Sequence, residues 1–334
     1  MKIETSAPNS RGLWRVLPGI LISLAALAAV LYLIDFNEVK EAFRKADYRY
    51  LLPVILVYTI GLGLRAMAWR SLLKEEVSYR NVFLVLNAGY LLNNVLPFRL
   101  GELGRAFILG RKGLGFWRVF TTILIERAFD MAIVAGLVLG TLPAVWGSAG
   151  ANQVAVLVMG VVLTGLFVLH LLARNRDKAL ALFDKLSLRS PRLLALGKYR
   201  IQAFFTGLAA LTDFSRFAQV LAWMLAAWLS AVSAQFLLLR AFAPSANFLW
   251  AAFGQGVVAL GVALPSSPAY VGILEAAWVS ALTLVGLQPG TALAYAFASH
   301  LLNIVVTGLI GGYALANEGF SLGNLYYRIR KETT

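Results

Sequence analysis

Two long apolar segments of this chain are each interrupted by a Leu-Pro pair, which is followed by a glycine and a carboxylate. The first interruption is LPFRLGE at 96–102, and the second is LPSSPAYVGILE at 264–275. Proline ends a helix because it lacks a backbone N–H. A backbone group freed inside lipid costs several kcal/mol unless protein or a water-filled cavity satisfies it. Paired interruptions, one in each half of a membrane protein, therefore predict a transport site.

The rest of the chain is apolar enough to lie in a membrane. Sixty per cent of its 334 residues are hydrophobic, the mean hydropathy is +0.74 and only 14% are charged, against ~25% in soluble domains. Several apolar runs reach the ~20 residues that a helix needs to cross a bilayer. This composition predicts an all-α polytopic membrane helix bundle, a single integral membrane domain over 1–334. Because it leaves no room for a soluble catalytic domain, we expect that the protein is not an enzyme.

The charged residues, the cysteine and histidine content and the missing motifs exclude several classes of function. Thirty Lys and Arg against sixteen Asp and Glu give a net charge of +14. The basic residues gather between apolar runs, which indicates the positive-inside bias and contact with anionic lipid head groups rather than nucleic acid. The chain has no cysteine and two distant histidines, so we expect no disulfide, no metal site and no cofactor. It also lacks a Walker A motif, which argues against direct ATP hydrolysis.

The charges in the gaps predict which side of the membrane each gap faces. The gap 174–216 holds nine basic and three acidic residues and is predicted to be a cytoplasmic loop, as are both termini, whereas uncharged gaps are predicted to be external. Basic gaps flank the broken segment 81–110, and uncharged gaps flank the broken segment 249–286. We therefore predict two re-entrant helical hairpins that enter from opposite faces, as an inverted repeat would. Two tilted full spans per segment would give the same loop sidedness.

About six full spans are expected around the two hairpins, because six further apolar runs approach or exceed the length of a span. These runs are 13–34, 50–73, 117–142, 152–173, 216–241 and 291–315. Between the first two, the charged segment 36–49 has apolar residues at helical spacing. That pattern is typical of a short interfacial helix.

Charged residues inside the membrane cost ~2.5–3.5 kcal/mol each on insertion scales, so they usually face a partner or a cavity. Around the first break lie Arg99, Glu102 and Arg105, preceded by Asn93 and Asn94. Guanidinium groups match phosphate oxygens, amides can add donors, and a helix that begins after the break directs its N–H groups toward it. These five residues are candidates for binding an anionic substrate. The alternative is that Arg99 and Glu102 form a structural ion pair.

The next span carries a second charged group. It contains Glu126, Arg127 and Asp130, and the i,i+3 spacing puts the last two on one face of a helix. Arg127 and Asp130 are candidates for substrate binding, with a structural ion pair as the alternative. Arg65 and Arg70, in the second span, are interpreted as residues near the cytoplasmic end that extend to the head groups.

The candidates for coupling or gating are Pro97 at the first break and four residues at or after the second. Those four are Pro265, Pro268, Glu275 and His300. Glu275 has no basic residue within several positions of it, so it could exchange a proton, or it could equally be a protonated or hydrogen-bonded packing residue. His300 is interpreted as a hydrogen-bonded core histidine, or alternatively as a proton relay with Glu275.

The run NVLPFRLGELGRA at 94–106 resembles the signature of the lysylphosphatidylglycerol synthase transmembrane-region family. The members of that family are flippase-like integral membrane proteins. The Glu126-Arg127-x-x-Asp130 pattern fits the span that follows in that family, and 265–276 is similar to its second signature. Ala269 stands where that family would have glycine, which allows less backbone freedom. The similarity covers about residues 13–320.

This resemblance implies movement of lipids between leaflets. By motif, the functional positions that it implies are Arg99, Glu102, Arg105, Arg127, Asp130 and Glu275. Bifunctional members carry a soluble aminoacyl-transferase domain after the membrane part. Only a short tail follows the last predicted span here, so we expect aminoacyl transfer to be absent.

Together these observations predict a flippase or scramblase-like transporter of the bacterial or archaeal inner (plasma) membrane. Its substrate would be an anionic phospholipid or a polyprenyl-phosphate-type lipid. Arg99 and Arg105 would bind the phosphate, Glu102 and Asp130 would orient those arginines, and Glu275 would couple protons.

Two alternative functions stay open. One is a membrane scaffold or regulator of a separate lipid-modifying or glycosyl-transfer enzyme, docked on the basic loop. The other is a small-solute secondary transporter, which predicts a closed cavity rather than a groove open to the bilayer. The expected partners are membrane lipids, a lipid-modifying enzyme or a second copy of the chain.

Overall fold

The computed structural model describes residues 10–96, 100–146, 212–263 and 267–319, with scattered positions between 153 and 206. The described residues form helices and turns and contain no β-strand. The helices are α1 Ser10–Leu33, α2 Phe36–Lys45, α3 Leu51–Leu72, α4 Tyr79–Val95, α5 Leu100–Leu109, α6 Phe116–Trp146, α7 Phe214–Phe242, α8 Phe248–Gly261, α9 Ile273–Leu284 and α10 Pro289–Asn317. The predicted all-α membrane bundle is confirmed.

Three stretches are long and apolar enough to cross a membrane by themselves, namely Tyr48–Leu72, Phe214–Phe242 and Pro289–Asn317. They coincide with three of the predicted spans, and α1 and α6 coincide with two more. The predicted span 152–173 and the basic loop 174–216 lie largely outside the described residues. The number of crossings and the sidedness of the loops therefore stay predictions.

The helix α2 lies where the sequence predicts a short amphipathic helix. Val39 and Ala42 are buried in a cluster with residues of α1 and α10. The carboxylate of Glu38 accepts a hydrogen bond from the Gly290 N–H at 3.2 Å. This contact places a negative charge at the first turn of α10, where the helix dipole favours it.

The first broken segment folds back on itself, so that α4 and α5 pack against each other. A Cβ atom on Gly101 would lie 2.0 Å from the Gly89 carbonyl oxygen, an approach that no other residue allows. The Gly101 N–H donates to Asn93 Oδ1 at 2.8 Å, which fixes the start of α5 against the end of α4. Pro97 and Arg99 lie outside the described residues.

The second broken segment also folds back, with α8 and α9 joined through a short helical turn at Pro268–Tyr270. Ala269 has a φ of 56° and Gly272 a φ of 87°, in the left-handed region that favours glycine. A Cβ atom on Gly272 would lie 2.1 Å from the Ser23 carbonyl oxygen of α1. Ala269 therefore adopts a left-handed backbone conformation, which suits the glycine of the family signature better than it suits alanine. Pro265 lies outside the described residues.

The two broken segments meet inside one bundle. The helix α3 packs along α7, α4 along α10, and α6 against α8. Two hydrophobic clusters fill the spaces between them, one around Trp69 and the other around Trp278 and Tyr295. The turn at Pro268–Tyr270 contacts α4, so the bundle brings the second break beside the helix that leads into the first.

Candidate functional site

Five charged side chains from three helices form an ion-pair cluster inside the bundle. Its members are Arg65 of α3, Arg105 of α5, and Glu126, Arg127 and Asp130 of α6. The two carboxylates lie one helical turn apart and are 0% and 3% exposed. Three guanidinium groups face two carboxylates, which leaves one excess positive charge in the cluster.

Glu126 is shared by all three arginines. Its Oε1 accepts hydrogen bonds from Arg65 Nε at 3.2 Å and Arg127 Nη2 at 2.7 Å. Its Oε2 accepts from Arg105 Nη2 at 2.6 Å. Each contact is charge-assisted, and such bonds are about twice as strong as neutral ones. The carboxylate therefore joins α3, α5 and α6 at one point.

Asp130 joins the same cluster to a fourth helix. Its Oδ2 pairs with Arg65 and, at 3.2 Å, with Arg127 Nη2. Its Oδ1 accepts a hydrogen bond from the indole N–H of Trp228, on α7, at 2.9 Å. The pairing of Arg127 with Asp130 follows the predicted i,i+3 spacing.

Arg105 occupies a different position from that expected of a phosphate ligand. It is 2% exposed, and its guanidinium carbon lies 3.9 Å from the centre of the Trp69 ring. Gly89 leaves the space for its side chain, because a Cβ there would lie 2.5 Å from Arg105 Cγ. Arg105 binds Glu126, not Glu102 or Asp130. The enclosed guanidinium thus positions Glu126.

A cavity of about 290 Å³ lies beside the cluster and is bordered by both breaks. Arg65, Arg127 and Asp130 line one wall. The first break contributes Asn93, Asn94 and Glu102, and the second contributes Ala269, Tyr270 and Leu274. The structure therefore brings the two broken segments and the buried charges to a single space.

Three of the candidate residues around the first break, Asn93, Asn94 and Glu102, line this cavity. Asn93 accepts the Gly101 N–H, and Asn94 Nδ2 donates to Thr307 Oγ1 of α10 at 3.0 Å. One carboxylate oxygen of Glu102 is buried and has no hydrogen-bond partner among the residues that the structure describes.

The second break places a carboxylate and an imidazole together. Glu275 Oε1 lies 2.5 Å from His300 Nδ1, across α9 and α10. The other carboxylate oxygen accepts the Gly272 N–H at 2.7 Å, which caps α9. His300 lines the cavity, and its Nε2 is buried without a partner in the described ranges. Glu275 is thus hydrogen-bonded and not isolated, and Pro268 begins the turn just before it.

Arg65 belongs to the site, although its position in the sequence does not predict this. The sequence pattern indicates a side chain that extends to the head groups, whereas the Arg65 side chain points into the bundle and pairs with Glu126 and Asp130. One local pattern does indicate a further arginine at this site. Glu126 and Asp130 lie four residues apart on one face of a helix, and two buried carboxylates need more than one arginine to neutralise them. Trp228 and the cavity amide Gln235 carried no such signal.

The arrangement can bind an anionic group. Arginines and amides can hold an anionic, polar group inside the membrane. Among the described residues, no group of three or more His, Cys, Asp or Glu side chains could hold a metal ion.

The sequence is similar to several known proteins. It is 27% identical over 335 positions to glycosyltransferase AglD of Haloferax volcanii, which covers 89% of this chain and 53% of that protein. It is 32% identical over 117 positions to a UPF0104 membrane protein of Methanothermobacter thermautotrophicus, covering 33% of this chain and 35% of that protein. Another UPF0104 membrane protein, from Methanocaldococcus jannaschii, is 23% identical over 124 positions, or 34% and 36% of the two chains.

The chain spans about half the length of the first of these relatives, and the matched segments cover about a third of the other two. No solved structure matches it. The model of the family described as "Lysylphosphatidylglycerol synthase TM region" matches residues 16–311, which include both breaks and the ion-pair cluster. The protein is an integral membrane protein, and the chain belongs to the lysylphosphatidylglycerol synthase transmembrane-region family.

Proposed function

We propose that the protein moves an anionic lipid between the leaflets of the inner (plasma) membrane, with both termini in the cytoplasm. The substrate is a phospholipid or a polyprenyl-phosphate-type lipid. The observation that carries this proposal is the cavity where both helix breaks meet the guanidinium groups of Arg65 and Arg127. Guanidinium groups match phosphate oxygens and stay charged at any physiological pH.

Access from the bilayer supports a lipid over a small solute. Met131 lines the cavity and is 40% exposed, and Ala263 also lines it and is exposed. These two exposed residues support an opening of the cavity toward the bilayer at α6 and beyond α8. A lipid needs such an opening because its acyl chains stay in the membrane while its head group crosses.

The pair of Glu275 and His300 supports a coupling role at the second break. The two side chains lie together where the backbone is already in a left-handed conformation, and buried carboxylate–histidine pairs are typical of proton relays in transporters. We assign substrate binding to the first break and coupling to the second.

The test is lipid exchange in liposomes. Purified protein is reconstituted with a fluorescent anionic phospholipid, and the fraction accessible to an external quencher is followed with time. Wild type is expected to accelerate exchange, and Arg127→Gln to slow it about tenfold, since a charge-assisted hydrogen bond contributes ~1.5–3 kcal/mol. Arg99→Ala tests the arginine that lies at the first break itself.

Arg44→Gln is the matched control, because Arg44 is an exposed arginine on α2 and its loss should leave exchange unchanged. Thermal unfolding in detergent separates lost binding from lost folding. Equal exchange with and without wild-type protein would contradict the proposal.

A second candidate function is a membrane partner of a glycosyl-transfer enzyme. It is favoured by the relative named glycosyltransferase AglD, of which this chain resembles about half. On this view the basic loop 174–216 would dock an enzyme encoded separately. Co-purification of such an enzyme from native membranes, together with no lipid exchange by the protein alone, would favour this function over transport.

A further inference from the structure

Five amide side chains line the cavity. In the described part of the chain Gln255 makes no side-chain hydrogen bond, and each of the other four is held by one end only. Asn93 Oδ1 accepts the Gly101 N–H, and Asn94 Nδ2 donates to Thr307 Oγ1. Asn303 Nδ2 donates to Tyr58 Oη at 2.9 Å, and Gln235 Oε1 accepts from Tyr295 Oη at 2.6 Å and from Ser299 Oγ at 3.0 Å. These bonds orient the amides and leave the other end of each one for a ligand.

The unpaired ends of these amides include both hydrogen-bond donors and hydrogen-bond acceptors. Within the described ranges no partner is found for the amide nitrogens of Asn93 and Gln235, which donate, or for the amide oxygens of Asn94 and Asn303, which accept. The buried carboxylate oxygen of Glu102 adds a further acceptor. The cavity thus offers hydrogen-bond acceptors as well as donors beside Arg65 and Arg127.

A bare phosphate does not complement this set. Phosphate oxygens accept hydrogen bonds from guanidinium and amide N–H groups, but they offer nothing to the oxygens of Asn94, Asn303 and Glu102. A buried acceptor without a donor is costly, and the Glu102 oxygen is such an acceptor among the described residues. The ligand must therefore carry donors next to its anionic group, and a hydroxyl group both donates and accepts.

The walls of the cavity indicate the shape of that hydroxyl-bearing group. Tyr58, Tyr90, Trp228 and Tyr270 line the space, and aromatic rings offer flat apolar faces to the C–H face of a sugar ring. The volume of about 290 Å³ is near the lower end of the range for small-molecule sites, and it suits a head group of monosaccharide size.

We propose that the lipid head group is a glycosyl phosphate, with Arg65 and Arg127 at the phosphate and the amides of Asn94, Gln235, Gln255 and Asn303 at the sugar hydroxyls. This inference rests on the proposed function, since it names the head group of the same lipid. Phosphatidylglycerol shares part of the chemistry, a phosphate diester beside hydroxyl groups, but it lacks the ring that the aromatic walls accommodate.

Binding is measured separately from transport. The full chain in detergent micelles is doped with equal mole fractions of polyprenyl hexosyl phosphate, polyprenyl phosphate or phosphatidylglycerol, and thermal unfolding is followed as a function of lipid concentration. A ligand that binds the folded state raises the Tm. The hexosyl phosphate is expected to bind at least about tenfold more tightly than the other two lipids, because an unpaired polar group in a site discriminates strongly.

Two variants test the sugar contacts. Gln255 lines the cavity and makes no hydrogen bond with its side chain in the described part of the chain, so Gln255→Leu should fold normally. Asn303→Leu removes the amide oxygen that we propose accepts a hydrogen bond from the sugar. Each is expected to weaken binding of the hexosyl phosphate about tenfold and binding of bare polyprenyl phosphate less than about twofold. Asn37→Ala, at an exposed position on α2, is the control.

The outcomes distinguish the two proposals. Preference for the hexosyl phosphate that is lost in Gln255→Leu supports the inference, whether or not liposomes show exchange. Equal or tighter binding of polyprenyl phosphate or phosphatidylglycerol overturns it, while exchange of any of these lipids would still support transport. Selective binding without exchange would contradict the transport function alone.

Discussion

Glu126 holds more ion pairs than any other carboxylate in the described ranges of the chain. Replacing it by glutamine keeps its size but leaves three guanidinium groups without their shared carboxylate. Removing one partner of a buried ion pair costs ~3–5 kcal/mol in soluble proteins. We therefore expect Glu126→Gln to lower the Tm in detergent strongly, as followed by tryptophan fluorescence.

The control for this change is Glu41→Gln. Glu41 pairs with Lys45 on the surface of α2, where the two side chains are 49% and 74% exposed, and exposed pairs of this kind contribute less than ~1 kcal/mol. Its Tm should match that of wild type. A Glu126→Gln protein as stable as Glu41→Gln would mean that the arginines find other partners.

At the residue scale, the sequence predicted only contacts between residues that lie close together in the chain. The pairing of Arg127 with Asp130 follows from three residues of separation on a helix. The pairing of Arg65 with Glu126 spans 61 residues, and no pattern within α3 indicates it. Arg105 was expected to face a phosphate because it follows the break, but the small Gly89 lets it turn against Trp69.

At the scale of helices, the close approach of α4 and α5 depends on Gly101. Gly101→Ala would add a Cβ only 2.0 Å from the Gly89 carbonyl oxygen, and backbone atoms cannot yield as a flexible side chain can. We expect this single methyl group to separate the two helices, lower the Tm and reduce lipid exchange together.

Gly140→Ala provides the matched comparison, since a Cβ on Gly140 of α6 meets nothing within 4 Å. Alanine favours helices over glycine by ~1 kcal/mol, so this variant should be as stable as wild type or slightly more so. If both alanine variants behaved alike, close packing of the first hairpin would not govern stability.

The sequence predicted the positions of both breaks but not the backbone within the second. Leu-Pro pairs and apolar runs locate the ends of α4 and α8. The left-handed conformation of Ala269 could be suspected only because the family signature has glycine there. The contact of Gly272 with Ser23 joins residues far apart in the chain, which spacing does not reveal.

At the scale of the whole molecule, the inverted entry of the two hairpins stays a prediction. The chain has no cysteine, so single cysteines can report sidedness through an impermeant maleimide applied to oriented vesicles. Glu75→Cys and Lys112→Cys are expected to react only from the cytoplasmic side, and Ser245→Cys and Gln288→Cys only from the outside. All four positions are exposed.

A cysteine beside the break separates hairpins from full spans, which give the same loop sidedness. Val95 ends α4 and is 46% exposed. In a re-entrant hairpin that enters from the cytoplasm, Val95→Cys lies within the membrane and should be protected from a bulky external reagent. Rapid labelling from the outside would indicate two full spans instead.

The shared carboxylate of Glu126 also constrains how the chain enters the membrane during synthesis. Arg65 and Arg105 emerge from the ribosome before the residue that neutralises them. Each unpaired arginine raises the insertion free energy of its helix by ~2.5–3.5 kcal/mol. The helices α3 to α5 therefore gain a stable place in lipid only when α6 arrives, so the first half of the protein should integrate as one unit rather than helix by helix.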